Sequence, residues 1–376
     1  MNAFILQTLH NPGKLASTGF TGLMKLIVPG ELISDNTMMR IFGFLGLALL
    51  VAGCVSTRQE TGSAVRYEFQ QAEMGVPFRI VLYAFSKNEA EGAAAAAFAR
   101  IGQLNAVMTD YDSDSELSRL SQTSGQNQEV PVSPELWLVL ARSQDLAERS
   151  NGAFDVTVGP YVNLWRYARR QGTMPDPARL AKARDAVGYT KMRLDSRGHT
   201  VKLLAPNMRL DLGGIAKGYA VDQALRTLGR RGITNALVSG GGDMAISGPP
   251  PGKPGWRVEL PPLDATNAPP ARYVVVSYVG ISTSGDLFQR LEIDGTRYSH
   301  IIDPRTGMGL TDHRLVTVIA PDDFTADGLT KVMSVLKPKE AVKFIAKTPN
   351  AFVRIIRKPG AKVEVYQSSG FGHFYE

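Results

Sequence analysis

The spacing of apolar residues changes along this chain, and each change marks an element. Phe78 to Ala84 is a compact apolar run that reads as a strand. Asn88 to Met108 is alanine-rich and reads as a helix, with Ala93 to Ala97 in its core. Ser133-Pro134-Glu135 opens a second helix with a cap, a proline at the first helical position and an acid in the first turn. That helix is expected to run to Ser150 and stop at Asn151-Gly152. A short helix follows near Pro177 to Ala186. Thr200 to Leu204 and Arg209 to Leu212 read as a hairpin closed by Ala205-Pro206-Asn207. Ile215 to Arg230 reads as a helix that starts directly after a glycine pair.

Further on, Asn235 to Ser239 forms a buried strand that ends in Gly240-Gly241-Gly242-Asp243, and Pro249 to Gly255 is a loop. Trp256 to Leu260, Tyr273 to Ser282, Leu291 to Asp303 and Leu315 to Ala320 are strand-like. Ala326 to Leu336 and Pro338 to Ala346 read as helices, and Phe352 to Arg357 and Lys362 to Gln367 as strands. Strands and helices mix without a steady βαβ alternation. The predicted class is therefore α+β, a mixed sheet with helices.

The 376 residues suffice for one large domain or two modest ones. Apolar content of 44% and charge of 20% are those of a globular protein. The net charge of +7 comes without a basic block, which favours an anionic ligand or membrane surface over nucleic acid. Arg40, the apolar run Ile41 to Leu50 and Val51-Ala52-Gly53-Cys54 resemble a bacterial lipoprotein signal, with Cys54 as the lipidated residue. The apolar run is short for a bilayer span, which takes roughly 20 residues. Met38 or Met39 would make a normal start, so residues 1–53 are read as an upstream segment plus signal peptide. Residues 54–66 are read as a tether and 67–376 as the catalytic domain. This places the chain in the bacterial cell envelope, facing the periplasm, with the choice between inner and outer membrane open.

Several segments carry candidate chemistry. Tyr111, in Met108-Thr109-Asp110-Tyr111-Asp112, offers an aromatic face to a ring and a hydroxyl to a phosphate. Ala153-Phe154-Asp155 is a turn that lets the chain pass close to a ligand, although Asp155 serves equally well as a turn residue. Leu210-Asp211-Leu212-Gly213-Gly214-Ile215-Ala216-Lys217 ends a strand and opens a helix through two glycines. Free N–H groups at such a tip favour an anion, and Lys217 adds a point charge suited to a pyrophosphate. Ser284-Gly285-Asp286 runs from a strand into a tight turn. Ser299-His300-Ile301-Ile302-Asp303-Pro304-Arg305 concentrates polar chemistry in one loop and holds one of only five histidines. His300 can take a proton from a hydroxyl near neutral pH, Asp303 can orient the imidazole, and Arg305 can meet phosphate charge or form an ion pair. No zinc, haem or nucleophile-elbow pattern is present.

Taken in order from Met74 to Leu336, these segments resemble the FAD:protein FMN transferase family, once described as thiamine-biosynthesis lipoproteins. The resemblance implies an FAD cleft between lobes. It implies FAD contacts for Met74, Tyr111, Ala153, Phe154, Asp155, Asp211, Lys217, Ser284, Gly285 and Ile301, and an essential histidine at His300. It also implies Mg²⁺ held by the Ala216 carbonyl with Asp327 and Thr330, which share a helical face at i and i+3. One position departs from the family pattern: Lys331 stands where a threonine ligand is usual, and a charged lysine cannot ligate Mg²⁺. Three outcomes are open. The lysine points away from the metal, it takes over part of the metal's charge, or the protein binds FAD without turnover. The first is the expectation.

The implied activity moves FMN from FAD onto a threonine or serine of an acceptor redox protein through a phosphoester, with AMP released and Mg²⁺ required. The acceptor would be a flavin-carrying subunit of a membrane or periplasmic electron-transfer complex. The alternatives are an FAD hydrolase giving FMN and AMP, and an FAD-binding accessory lipoprotein. All three require Lys217 and His300 on the same side of one site.

Overall fold

The computed structural model describes residues 63–264, 272–286 and 289–376. The signal segment, Cys54 and most of the expected tether lie outside them. The chain divides at residues 59 and 60, and all described residues belong to the second unit, Glu60–Glu376.

The expected α+β class is the one observed. Its centre is an eight-stranded sheet whose strands follow chain order: Val65–Glu73, Val76–Ala84, Ala236–Gly240, Asp243–Ile246, Val279–Gly285, Arg314–Ala320, Phe352–Arg357 and Glu364–Gln367. Every neighbouring pair is antiparallel. The second strand shows why its sequence is nearly all apolar: both its faces are covered. Phe78, Ile80 and Leu82 enter the main core beneath the helices Lys87–Met108, Ala216–Arg230 and Asp323–Val335. Val81 points the other way, into a second core with Trp256, Val258, Val274 and Val276. That second core lies under the hairpin Trp256–Leu260 and Arg272–Val276.

Two helices of the main layer meet very closely, and glycine permits it. A Cβ at Gly218 would lie 2.4 Å from the Asp323 carbonyl oxygen and 2.7 Å from Asp327 Cβ. The Asp222 carboxylate accepts from the Asp323 and Phe324 amides at 3.1 and 2.8 Å, so one helix caps the start of the other. A third core joins the helix Gly159–Gln171 to the histidine loop: Tyr161 and Trp165 pack with Leu291 and Ile302, and Trp165 Nε1 donates to the Gly307 carbonyl at 2.8 Å.

Several expectations need correction. Arg209 to Leu212 is not a strand. Thr200–Leu203 pairs instead with Met192–Asp195 and Val130–Pro131, and Arg209 makes only an isolated bridge to Val158. Tyr273 to Ser282 is two strands, because Tyr278 adopts φ 57° and sends the halves to different sheets. Leu291 to Asp303 is a hairpin, Arg290–Ile293 with Thr296–Ser299, followed by a short strand Ile302–Asp303. Its turn is Asp294-Gly295, both at positive φ, the dipeptide suited to a tight hairpin. The strands Val65–Glu73 and Asp243–Ile246 and the helix Gly159–Gln171 were not foreseen. The helix expected from Ala326 starts at Asp323, with Asp322 accepting from the Thr325 amide at 2.7 Å.

Candidate functional site

Four chain turns meet at the start of the helix Ala216–Arg230. The first is Met74-Gly75, which joins the two opening strands with both residues at positive φ. Behind it Val76 and Lys217 flank Gly241: a Cβ there would lie 3.3 Å from Val76 Cγ2 and 3.4 Å from Lys217 Cε. The second is Gly241-Gly242, also at positive φ, which delivers Asp243 to the same place. The third is Ala153-Phe154-Asp155. A Cβ at Gly214 would lie 3.5 Å from Phe154 Cε2 and 3.1 Å from Lys331 Cγ, so loop, glycine pair and Lys331 are in contact. The fourth is the histidine loop.

Lys217 is the electrostatic centre. Its Nζ lies 2.8 Å from Asp243 Oδ2 and 3.7 Å from Asp327 Oδ2. Burial opposes its charge, but Asp243 and Asp327 outweigh burial and hold the lysine above its usual value. Burial and the charge of Asp327 push the Asp243 carboxyl upward. Its ionised form is nonetheless favoured by Lys217 and by Ser282 Oγ, which donates at 2.6 Å. Asp323 differs. It is fully buried, both its oxygens lack a hydrogen-bond partner among the described residues, and three carboxyls surround it. Burial first, then the charges of Asp243, Asp222 and Asp327, push its pKa well above the ordinary carboxylate range.

The free-amide tip expected before Lys217 is largely spent. Ile215 and Ala216 amides close a turn on the Leu212 carbonyl at 3.0 and 2.8 Å, and the Gly213 amide donates to Asp211 Oδ1 at 2.8 Å. Gly218 donates to Asp327 Oδ2 at 3.1 Å. An anion here would therefore meet lysine side chains before helix amides.

The metal expectation fails on the same helix face. Lys331 does not point away: Nζ lies 2.7 Å from Asp327 Oδ1 and 2.9 Å from Thr330 Oγ1. Thr330 Oγ1 in turn donates to the Asp327 carbonyl at 2.7 Å. Asp327 is fully buried with both oxygens engaged, and the two lysines overcome its burial and lower its pKa. The side chains named for Mg²⁺ thus already hold an ammonium. Among the described residues no cluster of three or more acidic, histidine or cysteine side chains is placed to hold a metal. The residues present do not fit a divalent cation.

His300 is half-buried, and its Nδ1 lies 3.1 Å from the Gln289 carbonyl. Burial, then the charges of Lys331, Arg169 and Lys217, lower its pKa to about 4. The lysine charges reach the imidazole through space, with no hydrogen bond from His300 to either lysine among the described residues. Asp303 does not orient the imidazole. Its two oxygens accept from Arg305 Nε and Nη2 at 2.9 and 2.8 Å, a fork that also accounts for Arg305. Ile301 follows directly, its amide on Ser299 Oγ at 3.1 Å. Ser284 is buried on the same strand face as Ser282, two residues away, and Gly285 closes against Leu315.

The remaining expected contacts cluster around Arg166, which the sequence did not single out. It pairs with Asp110 and, at 3.0 Å, with Asp211 Oδ2, and its guanidinium covers the Tyr111 ring at 4.4 Å. Tyr111 is 80% exposed, so the ring's other face is free. Asp155 is a buried turn residue whose Oδ1 accepts from the Thr157 amide and hydroxyl at 2.8 and 2.7 Å. Asp243, Asp323, Arg166 and Arg169 were also missed as site residues. Only the Gly241-Gly242-Asp243 turn gave a sequence signal. A separate cavity of about 400 Å³ between Arg142, Arg149, Phe324 and Thr348 is lined by none of the residues assigned to chemistry.

A sequence profile described as the ApbE family matches residues 74–355. A Haemophilus influenzae FAD:protein FMN transferase is 36% identical over 261 residues, 68% of this chain and 75% of that protein. The Klebsiella pneumoniae protein of the same description is 32% identical over 349 residues, 90% of this chain and 98% of that one. Among solved structures, the flavin transferase ApbE from Vibrio cholerae superposes with a TM-score of 0.74 at 29% identity, covering 83% of this chain and 99% of that chain. The apo flavinyl transferase ApbE from Pseudomonas stutzeri gives 0.73 at 26% identity, covering 84% and 98%. Profile, relatives and superposition agree, and the chain belongs to the ApbE family.

Proposed function

We propose that this chain transfers FMN from FAD to a threonine or serine hydroxyl of an acceptor redox protein, releasing AMP. The reading is supported by two lysine ammoniums held in one buried cluster with Asp243 and Asp327, and by a histidine whose imidazole is neutral above about pH 4. Lys217 and Lys331 face the FAD diphosphate and stabilise charge that builds on its oxygens. His300 takes the proton of the attacking hydroxyl. The hydroxyl oxygen bonds to the FMN-side phosphorus, the phosphorus–oxygen bond to AMP breaks, and AMP leaves with the electron pair. Tyr111, backed by Arg166, supplies a stacking face for one of the two rings.

The acceptor is a flavin-carrying subunit of an electron-transfer complex, and the chain reaches it from a membrane through lipid on Cys54. Among the described residues no helix is long and apolar enough to cross a membrane, so anchoring rests on that cysteine in this reading. Incubation with FAD and a flavin-acceptor domain tests the activity. Covalent flavin fluorescence on the acceptor supports transfer. AMP without labelling makes the protein an FAD hydrolase, and tight FAD binding with neither product makes it a carrier.

A further inference from the structure

We propose that the Lys331 ammonium takes the place of the divalent cation in this chain, so that FAD is bound without Mg²⁺ on this helix face. The inference rests on the flavin reading above and adds to it what fills the cation position.

A cation site on the helix Asp323–Val335 would be built from the Asp327 carboxylate and the Thr330 hydroxyl. Lys331 Nζ already lies 2.7 Å from Asp327 Oδ1, 2.9 Å from Thr330 Oγ1 and 3.5 Å from the Asp327 carbonyl. An ammonium has three protons, and here three oxygens of one helical turn receive them. Asp327 Oδ2 is engaged too, by the Gly218 amide at 3.1 Å, with Lys217 Nζ 3.7 Å away. The carboxylate is fully buried, with a hydrogen bond on each oxygen.

Geometry and charge exclude sharing. Mg²⁺ needs oxygens at about 2.0–2.1 Å in a near-octahedral shell. An ion on Asp327 Oδ1 or Thr330 Oγ1 would sit within a few ångströms of Nζ, with the two positive charges facing each other in a buried setting. The Lys331 stem lies against Gly214 beside Phe154, which directs its ammonium onto Asp327 and Thr330. The charge count also closes without metal. Lys217 and Lys331 balance Asp243 and Asp327. Two ammoniums against two carboxylates leave no net negative charge on this helix face for a divalent ion to balance. A monovalent, directional donor set replaces a divalent ion.

The test is FAD binding, followed by quenching of flavin fluorescence, with excess EDTA or with saturating Mg²⁺. Wild-type protein is expected to bind FAD with the same affinity in both, within about twofold. Lys331→Thr frees Asp327 and Thr330. It should lose about tenfold or more in EDTA and recover in Mg²⁺. Lys331→Met, which removes the charge but keeps the stem, should lose affinity that Mg²⁺ does not restore. Free Mn²⁺, followed by its paramagnetic resonance without FAD, should be left untouched by wild type and taken up by Lys331→Thr. If wild-type FAD affinity rises about tenfold with Mg²⁺, or wild type takes up one Mn²⁺, the proposal is wrong while the flavin reading stands. If wild type binds FAD in neither condition, the flavin reading fails and this proposal with it. The wild-type arms decide the matter even where a variant does not fold.

Discussion

His300 hangs from the carbonyl of Gln289: its Nδ1 and its own amide both lie within 3.1 Å of that oxygen. A carbonyl can only accept, so Nδ1 carries the proton of the neutral ring and Nε2 keeps the lone pair. The role foreseen for Asp303 is thus filled by a backbone group directly across the open end of the same hairpin. His300→Ala should lower acceptor labelling by about 10²–10⁴-fold, the usual range for a lost general base. FAD affinity should hold or improve in that variant, because no bond from His300 to a carboxylate or lysine is broken. A single-turnover labelling assay beside an FAD titration checks this, and wild-type labelling by His300→Ala would remove the histidine from the mechanism.

The pKa of about 4 at His300 fixes a pH dependence. A base works when deprotonated, so kcat/KM for labelling should fall only as pH drops towards 4 and stay level from about 5 to neutrality. Stability follows the same group. The folded pKa lies below the ordinary 6.5, so the unfolded chain binds more protons between those values. Stability therefore rises with pH from about 4 to 6.5 and loses this contribution as pH falls through that window. Lys331 is the largest charge acting on the ring. Lys331→Thr should move the acid limb upward, towards pH 6.5, and an unmoved limb would show that the lysine charge does not reach His300.

Gly218 is where the two central helices touch, and any side chain there meets backbone. Gly218→Ala places a methyl 2.4 Å from the Asp323 carbonyl oxygen, which no rotamer can relieve. Overpacking of this kind costs about 1–3 kcal/mol. Thermal or urea unfolding should report a loss of that size. FAD affinity should fall as well, since the shift moves Asp327 and with it both lysines. Full FAD affinity in a destabilised Gly218→Ala protein would separate the helix contact from the site.

Elements with one period and one set of caps were legible in the sequence: the strand at Phe78, the helices opening at Ser133-Pro134 and Pro338, and the strand ending at Gly240. Long apolar segments broken by a single residue were not. Tyr278 at φ 57° and Asp294-Gly295 interrupt runs whose composition is uniformly strand-like, and only tertiary pairing makes the break visible. Site residues separated by more than 100 positions, such as Lys217 and Asp327, could be nominated singly but not paired. The fate of Lys331 turned on this. Sequence says that a lysine cannot ligate Mg²⁺; only the packing against Gly214 says that its ammonium enters the ligand position.

Tyr111 gives the cleanest separation of binding from folding. Its ring is 80% exposed, and its one aromatic neighbourhood is the Arg166 guanidinium at 4.4 Å. Arg166 does not depend on that ring, because Asp110 and Asp211 hold it from both sides. Removing the ring should therefore leave the fold intact, with stability changed by less than about 1 kcal/mol. Binding is different. A flavin or adenine ring stacked on an aromatic face gains roughly 1–3 kcal/mol per contact, about tenfold or more in affinity. Tyr111→Ala should weaken FAD binding by that factor with an unchanged melting temperature, and Tyr111→Phe should restore most of it. If Tyr111→Phe is as weak as Tyr111→Ala, the hydroxyl rather than the face makes the contact, and the residue belongs to the diphosphate and not to a ring. If neither variant changes FAD affinity, the exposed ring faces away from the dinucleotide.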